Sequence, residues 1–460
     1  MVTESIPGIR PPRTSRAALT RRIPIGFFAI LVLAPVLLQS GVARFSDPTA
    51  AGVTSAPAAT TPNTFTFAAA GDIAANGGVA SFADLDQSGA DFFLALGDLD
   101  YDQTPTDEAW CDYVTQHLPT LGPEFPFELL VGSHEDQDGQ DGYILNHAAC
   151  LPDRLGSTGT YAVHYYFDYP ASSPLIRVIM IPPNMRVENV LYNYTPDSPH
   201  YAWLSSTIDS ARAAGIPWVS VGMHDVCITA GIKTCEIGSD LMNLLINKRV
   251  DIVLQAHDHN YQRSKQLRHK TGVCATVPAG SYAASCVVDS GADGIYAKGA
   301  GSVFVISGNF GHCCYAVNAA DPEAGYFARF DSTSRGFTKY TVGPGHIDAQ
   351  FVNSVGAFTD SFSIVNNFDS DADGFTNGVE SYAGTNPSLA CGIEAWPADI
   401  DNDGSSDTAD LQALTAAFGE PVGPPPSAAA RYDISPNRPN GFVDTADISR
   451  ITAVFGQSCN

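Results

Sequence analysis

Five short apolar runs in this chain each end in residues that ligate cations. Phe67-Ala-Ala-Ala70 leads into Gly71-Asp72, and Phe92 to Leu96 leads into Gly97-Asp98, with Tyr101 just beyond. Phe127 to Val131 leads into Gly132-Ser133-His134-Glu135-Asp136. Trp218 to Val221 runs into Gly222-Met223-His224, and Ile252 to Gln255 into Ala256-His257-Asp258-His259. One acid or imidazole after a strand is ordinarily a cap or a surface residue. Five in succession form a pattern, and carboxylate, phenol and imidazole donors suit Fe, Mn or Zn. His257 and His259 share one face of an extended segment, and a carboxylate can bridge two ions. The chemistry favoured is hydrolysis assisted by two cations, as in the cleavage of a phosphate ester. Two neighbouring cations lower the pKa of a water and offset charge on the transferring phosphoryl group.

Such chemistry requires every donor to reach one rim. The apolar runs at 65–70, 92–96, 127–131, 175–181, 218–221, 250–255 and 303–307 read as buried strands. Tyr201 to Ala214 and Leu241 to Asn247 have helical spacing. The alternation predicts a layered α/β domain, a layout that presents its chemistry at strand ends. After Tyr326, the segments 326–331, 337–342, 346–352 and 358–364 alternate apolar and polar residues. They read as antiparallel strands closing a second sheet. The domain is expected to end near Val365.

This ordered set resembles the calcineurin-like metallophosphoesterases, and within them the purple acid phosphatases, over roughly residues 64–365. Where the wider family has a His shortly after its first Asp, this chain has Ala74. The purple branch instead places a Tyr after the bridging Asp, where Tyr101 stands. Its closing element matches His257-Asp258-His259-Asn260-Tyr261-Gln262-Arg263, and Val221 to His224 matches another. The resemblance implies a two-sheet αββα sandwich over 64–365. It implies that Asp72, Asp98, Tyr101 and His259 hold a first metal, iron, and that Asp98, His224 and His257 hold a second, Zn, Mn or Fe. Asp98 bridges the two in that reading, and a hydroxide on the centre attacks the phosphate. His134 matches a histidine that stabilises or protonates the leaving oxygen. Ser133 stands where the family has an Asn ligand, so the second ion's retention falls more heavily on Asp98. Glu135 and Asp136 are open between orienting His134 and being solvated loop acids, and Asp100 reads as a solvated acid. His312 is placed near the pocket or outside it by this reading; His117, His147, His164, His200, His269 and His346 read as core or surface residues.

Composition narrows the function. A formal net charge of −25 excludes nucleic-acid binding as the leading reading and disfavours docking on an anionic membrane. Residues 366–460 hold 14 Asp plus Glu against 3 Arg, a net of −11. At the other end, Arg10, Arg13, Arg16, Arg21 and Arg22 precede the apolar run Ile23 to Leu38, and Gly41-Val42-Ala43 offers small residues for cleavage. Residues 1–43 therefore read as a signal peptide and 44–63, rich in Ala, Thr, Pro and Ser, as a disordered spacer. The expected destination is extracellular, with no stable membrane insertion after cleavage. Ten Cys suit an oxidising compartment. Cys227 with Cys235, Cys274 with Cys286 and Cys391 with Cys459 are reasonable partners; Cys313 and Cys314 pair with each other or elsewhere.

The acidic tail has its own spacing. Asp369-x-Asp371-x-Asp373-Gly374, closed by Glu380, follows the calcium-loop pattern, which makes 366–391 a calcium-loop linker. Asp399, Asp401, Asp403, Asp407 and Asp410 form a variant ending in Asp, and Asp433, Asp444 and Asp447 a second copy with an insertion. The duplicated loop and helix resemble dockerin modules, predicting a small EF-hand-like helical module over 392–460 that binds Ca2+. That resemblance implies a cohesin-type protein partner; a calcium-stiffened spacer without one is the alternative. For the whole chain the leading reading is a secreted acid phosphatase-like hydrolase of phosphate monoesters. The competitors are a phosphodiesterase or nucleotidase on the same centre, and a calcium-dependent scaffold or adhesion protein with a degenerate phosphatase domain.

Overall fold

In the computed structural model, the described residues are 64–139, 141–366, 369, 371–422, 428–435, 439 and 441–459. The expected signal peptide and spacer lie outside them. Strands Phe65–Ala70, Phe92–Ala95 and Phe127–Leu129 pair in parallel, each a short run of buried apolar residues. Arg335–Val342, His346–Val355 and Ser361–Val365 extend this sheet antiparallel from Phe65–Ala70, and Ile295–Ala297 forms its edge. A second sheet has the parallel set Ile176–Met180, Trp218–Gly222, Ile252–Gln255 and Val303–Ser307. Tyr261–Ser264 and Phe327–Asp331 lie at one side of it, and His164–Tyr169 and Thr158–Thr160 at the other.

The sheets face each other across a core of aromatic and branched side chains, among them Phe67, Phe92, Phe167, Ile252, Tyr340 and Phe351. Helices cover both outer faces. Ala75–Asp86, Asp107–His117 and Ile144–Cys150 bury Phe82, Trp110 and Ile144 against the first sheet. Pro199–Ala213 and Ser239–Asn247 bury Leu204, Ile208 and Leu241 against the second. The result is the two-sheet α/β sandwich anticipated from the sequence. Parallel sets are buried on both faces, which is why their strands read as unbroken apolar runs.

One expectation needs correction. The segments after Tyr326 do not form a separate closing sheet. Three of them complete the first sheet, while Phe327–Asp331 pairs with Tyr261–Ser264 in the second. Alternation reports that one face is buried, not which sheet buries it. The helix Ala75–Asp86 also escaped the pattern because Gly77 and Gly78 dilute its signal. Gly77 is there for space: a Cβ would lie 2.0 Å from the Gly311 carbonyl oxygen.

Beyond Val365, helices Asn377–Ala383, Thr408–Ala416 and Thr445–Ala453 gather around Phe375, Val379, Leu414, Val443 and Ile451. Among the described residues no helix is long and apolar enough to cross a membrane. Disulfides join Cys111–Cys150, Cys227–Cys235, Cys274–Cys286, Cys313–Cys314 and Cys391–Cys459.

Candidate metal centre

The parallel strands of both sheets release their chains at one rim, and the loops there are cross-linked by backbone bonds. The N–H groups of Asp72, Ile73 and Ala74 donate to the carbonyls of Gly97, Asp98 and Leu99. Asp72 Oδ2 accepts from the His257 backbone at 2.8 Å, so the first and fifth loops are tied as well. Asp72, Asp98, Tyr101 and His257 all take left-handed backbone conformations, with φ between 54° and 64°. Non-glycine residues held there cost about 1–3 kcal/mol each, a cost typical of functional loops. Gly132 permits the closest approach, since a Cβ would sit 2.2 Å from both the backbone nitrogen and Oδ1 of Asp98.

These loops bring the predicted donors together in two groups. In the first, Tyr101 Oη lies 2.6 Å from Asp72 Oδ1, 3.3 Å from Asp98 Oδ2 and 3.2 Å from His259 Nε2. His259 Nε2 is 3.0 Å from Asp72 Oδ1. In the second, His224 Nε2 is 3.0 Å from His257 Nδ1 and 3.2 Å from Asp98 Oδ2. Asp98 Oδ2 thus belongs to both groups. Donor atoms about 2.0–2.2 Å from one ion lie roughly 3 Å apart, so this spacing fits cation coordination. Ser133 is exposed, with Oγ 3.4 Å from both oxygens of Asp98.

Electrostatics makes the same point. Asp72, Asp98 and His224 are almost wholly buried. Burial disfavours charge on Asp98, yet the neighbouring His224 and His134 hold its carboxyl well below the usual range. Burial likewise disfavours the His224 imidazolium, but Asp98 pushes its pKa up to about 10. Burial, then Asp72 and Asp98, drive the Tyr101 phenol far above its ordinary value. The pocket concentrates negative charge that a cation relieves, and a bound cation inverts the pKa logic for the phenol.

Neighbouring groups fix the orientation of the donors. His224 Nδ1 meets the Leu96 carbonyl at 2.8 Å, leaving Nε2 aimed at the centre. His257 Nε2 faces Glu236 Oε2 at 3.2 Å and Asp225 Oδ1 at 3.8 Å, which turns Nδ1 inward. Glu135 is fully buried and accepts from the backbone of Asp98, Leu99 and Gly132. It is therefore neither a solvated acid nor a partner of His134; it shapes the loop that carries Asp98. The His134 partner is Asp141, bonded to Nδ1, while Nε2 stands 3.7 Å from Asp98 Oδ2. Asp136 accepts from the backbone of Asp138 and Arg186. Asp100 is also corrected: it is buried and accepts from the backbone and hydroxyl of Thr104.

His312 does line the site, its ring 4.3 Å from that of Tyr101 and 4.5 Å from that of His259. Tyr315 stacks on His259 at 4.0 Å, and the Lys233 ammonium lies 5.6 Å from the Tyr315 ring. Asp141, Asp225, Glu236, Lys233 and Tyr315 were not legible in the sequence. They sit in irregular loops with no spacing rule; only the adjacency of Asp225 to His224 and of Glu236 to Cys235 offered a hint. Tyr261 and Arg263, by contrast, bind Asp360 in the protein interior and hold the end of the His-x-His segment.

The acidic tail forms three loops. Asp369, Asp371 and Asp373 bring carboxylate oxygens within 4.8 Å of one another, and so do Asp399, Asp401 and Asp410. Asp403 accepts from the Ser405 backbone, and Asp407 caps the helix Thr408–Ala416. In the third loop Asp433 accepts from the Gly441 backbone, Asp444 caps the helix Thr445–Ala453, and Asp447 accepts from Ile434, Ser435 and Asp444.

Residues 65–261 match the family model for calcineurin-like phosphoesterases. Purple acid phosphatase 21 of Arabidopsis thaliana is 26% identical over 216 residues, 44% of this chain and 46% of that protein. Purple acid phosphatase 22 of the same plant is 24% identical over 233 residues, 47% of this chain and 50% of that protein. The chain thus spans about half the length of these curated relatives. A purple acid phosphatase from yellow lupin (Lupinus luteus) seeds shares the fold, with a TM-score of 0.50 and 15% identity over 67% of this chain and 55% of that one. With the two donor groups at the strand ends, these likenesses agree: residues 65–261 are similar to calcineurin-like phosphoesterases, and the chain is similar in sequence to purple acid phosphatases.

Proposed function

We propose that this protein is a secreted phosphoesterase that hydrolyses phosphate monoesters at a dinuclear metal centre. The observation that carries the reading is Asp98 Oδ2, shared between the Asp72–Tyr101–His259 and His224–His257 groups. Asp72, Tyr101 and His259 would hold iron, and His224, His257 and a weak Ser133 would hold Zn, Mn or Fe. When bound, two such ions activate water and neutralise charge on the phosphoryl group. The chain's own residues do the rest. Asp141 fixes the His134 tautomer so that Nε2 faces the cleft, placed to give a proton to the leaving oxygen. Lys233 puts a positive charge at the rim of an otherwise acidic centre, where a phosphate dianion enters.

The C-terminal residues 366–391 and 392–460 are proposed as a calcium-loop linker and a dockerin-like module for a cohesin-type partner. The support is the repeated capping box, Asp407 with Asp410 and Asp444 with Asp447, on two matching helices. Five disulfides suit export. The test is hydrolysis of aryl phosphate monoesters and diesters by the purified full chain. Faster turnover of monoesters, abolished by chelation, is expected. Preference for diesters would move the assignment to phosphodiesterases, and no hydrolysis at any pH would defeat it.

A further inference from the structure

Beyond the five donor-bearing strand ends, one more parallel strand delivers an imidazole to the same rim. Val303–Ser307 runs beside Ile252–Gln255, so its exit lies next to the His257–His259 segment. The chain then passes through Gly308-Asn309-Phe310-Gly311 to His312. This exit is laced to the Asp72 loop. Gly71 N donates to the Ser307 carbonyl at 3.0 Å, and Phe310 N to the Gly71 carbonyl at 3.3 Å. Gly311 N and His312 N both donate to the Asp72 carbonyl, at 3.0 and 2.8 Å. The two glycines allow the approach: a Cβ on Gly308 would lie 2.7 Å from Asp72 Oδ2, and one on Gly311 would run into the Ile73 carbonyl. Three residues on, Tyr315 N donates to the His259 carbonyl at 2.9 Å. The backbone at His312 is therefore held between attachments to Asp72 and to His259.

The side chain is held as well. Its ring meets that of Tyr101 edge-on, at 82° and 4.3 Å, and lies 4.5 Å from that of His259. The His134 ring is 4.4 Å from the same phenol. Two imidazoles from separate loops thus pack on Tyr101, and they are equipped differently. Asp141 binds Nδ1 of His134, whereas among the described residues none bonds to a ring nitrogen of His312, which is exposed to solvent. A neutral imidazole keeps one N–H donor and one acceptor. A histidine that merely faced water would need neither the double backbone attachment nor the ring contacts. Fixing a free donor beside the donor groups in advance lowers the cost of ordering it when an anion arrives.

We propose that His312 is a substrate-binding residue, donating a hydrogen bond to a non-bridging oxygen of the phosphoryl group on the Asp72–Tyr101–His259 side of the cleft. His134, with Asp141 behind it, serves the leaving oxygen, so the two imidazoles divide the work. The assignment rests on the phosphoesterase reading. Inorganic phosphate presents the same kind of oxygen, so its binding reports on His312 without turnover.

The test compares the metal-loaded full chain with three variants. Phosphate affinity is measured by calorimetry, aryl phosphate hydrolysis by kinetics, and metal content by elemental analysis. His312→Phe keeps a ring against Tyr101 and His259 but has no N–H; His312→Ala removes both. Each should weaken phosphate binding and raise KM by about tenfold or more, as loss of a hydrogen bond to a charged group does, with metal content unchanged. His312→Gln, which restores a donor, should recover a substantial part of the loss. Wild-type phosphate affinity in His312→Phe would overturn the assignment, and so would a loss of bound metal that accounts for the weaker binding. A wild-type protein that neither binds phosphate nor hydrolyses the ester would defeat the phosphoesterase reading itself. One that does both while His312→Phe matches it would defeat only the role of His312.

Discussion

The two halves of the metal centre rest on similar strand ends but are unequally furnished. Around Asp72, the phenol of Tyr101 and the imidazole of His259 lie 3.2 Å from each other and within 3.0 Å of Asp72, and the phenol reaches Asp98 at 3.3 Å. Beside the His224–His257 group, Ser133 is exposed, with its hydroxyl 3.4 Å from Asp98. What the second half lacks in direct donors it gains behind them: Glu236 and Asp225 face the outer nitrogen of His257. On the proposed function, the tighter ion is expected beside Asp72, and the second would be retained by Asp98 and by oriented imidazoles.

The largest expected effect comes from the shared carboxylate. Asp98→Ala removes a donor from both halves, and loss of several kcal/mol predicts a fall in kcat/KM of about a thousandfold or more. Metal analysis of the variant should show both ions depleted; loss of one alone would show that Asp98 is not shared. Tyr101→Phe comes next. It should abolish visible absorption from a tyrosinate–iron pair and lower the first ion's occupancy, leaving the second half's ligands intact. An unchanged spectrum would place the iron elsewhere.

Glu236→Gln probes the support behind His257. Loss of an orienting carboxylate typically costs about 10–100-fold in metal affinity. The loss should fall on the second ion, so titration of the stripped protein with Zn2+ distinguishes the halves. Equal weakening of both ions would show that Glu236 does not support one half selectively. Ser133→Asn should have the smallest effect and the opposite sign, tightening the second ion by roughly tenfold, about 1.4 kcal/mol. Unchanged second-ion affinity would show that this position does not limit the site.

Much of this was legible in the sequence. The parallel strands stood out because burial on both faces makes unbroken apolar runs, and the donors stood out because each directly follows one. Asp72, Asp98, Tyr101, His134, His224, His257 and His259 all reach the rim. The supporting residues were hidden. Asp141 is a loop acid that only folding brings to His134, and Glu135 was ambiguous until its oxygens were seen to accept three backbone N–H groups. The sheet assignment of the strands after Tyr326 was lost for a different reason, since alternation carries no information about partners. In the tail, spacing located the acids of all three loops, but only their hydrogen bonds separate the satisfied Asp410 and Asp447 from the unpaired Glu380.

The central claim is an unequal two-metal centre that hydrolyses phosphate esters. Its most direct test is stepwise chelation of the purified full chain, following metal content and aryl phosphate hydrolysis together. Two ions per chain are expected, the second leaving first, with activity lost alongside it and restored when Zn2+ or Mn2+ is returned. A protein that holds at most one ion in this domain, or whose hydrolysis is indifferent to the second ion's departure, would contradict it.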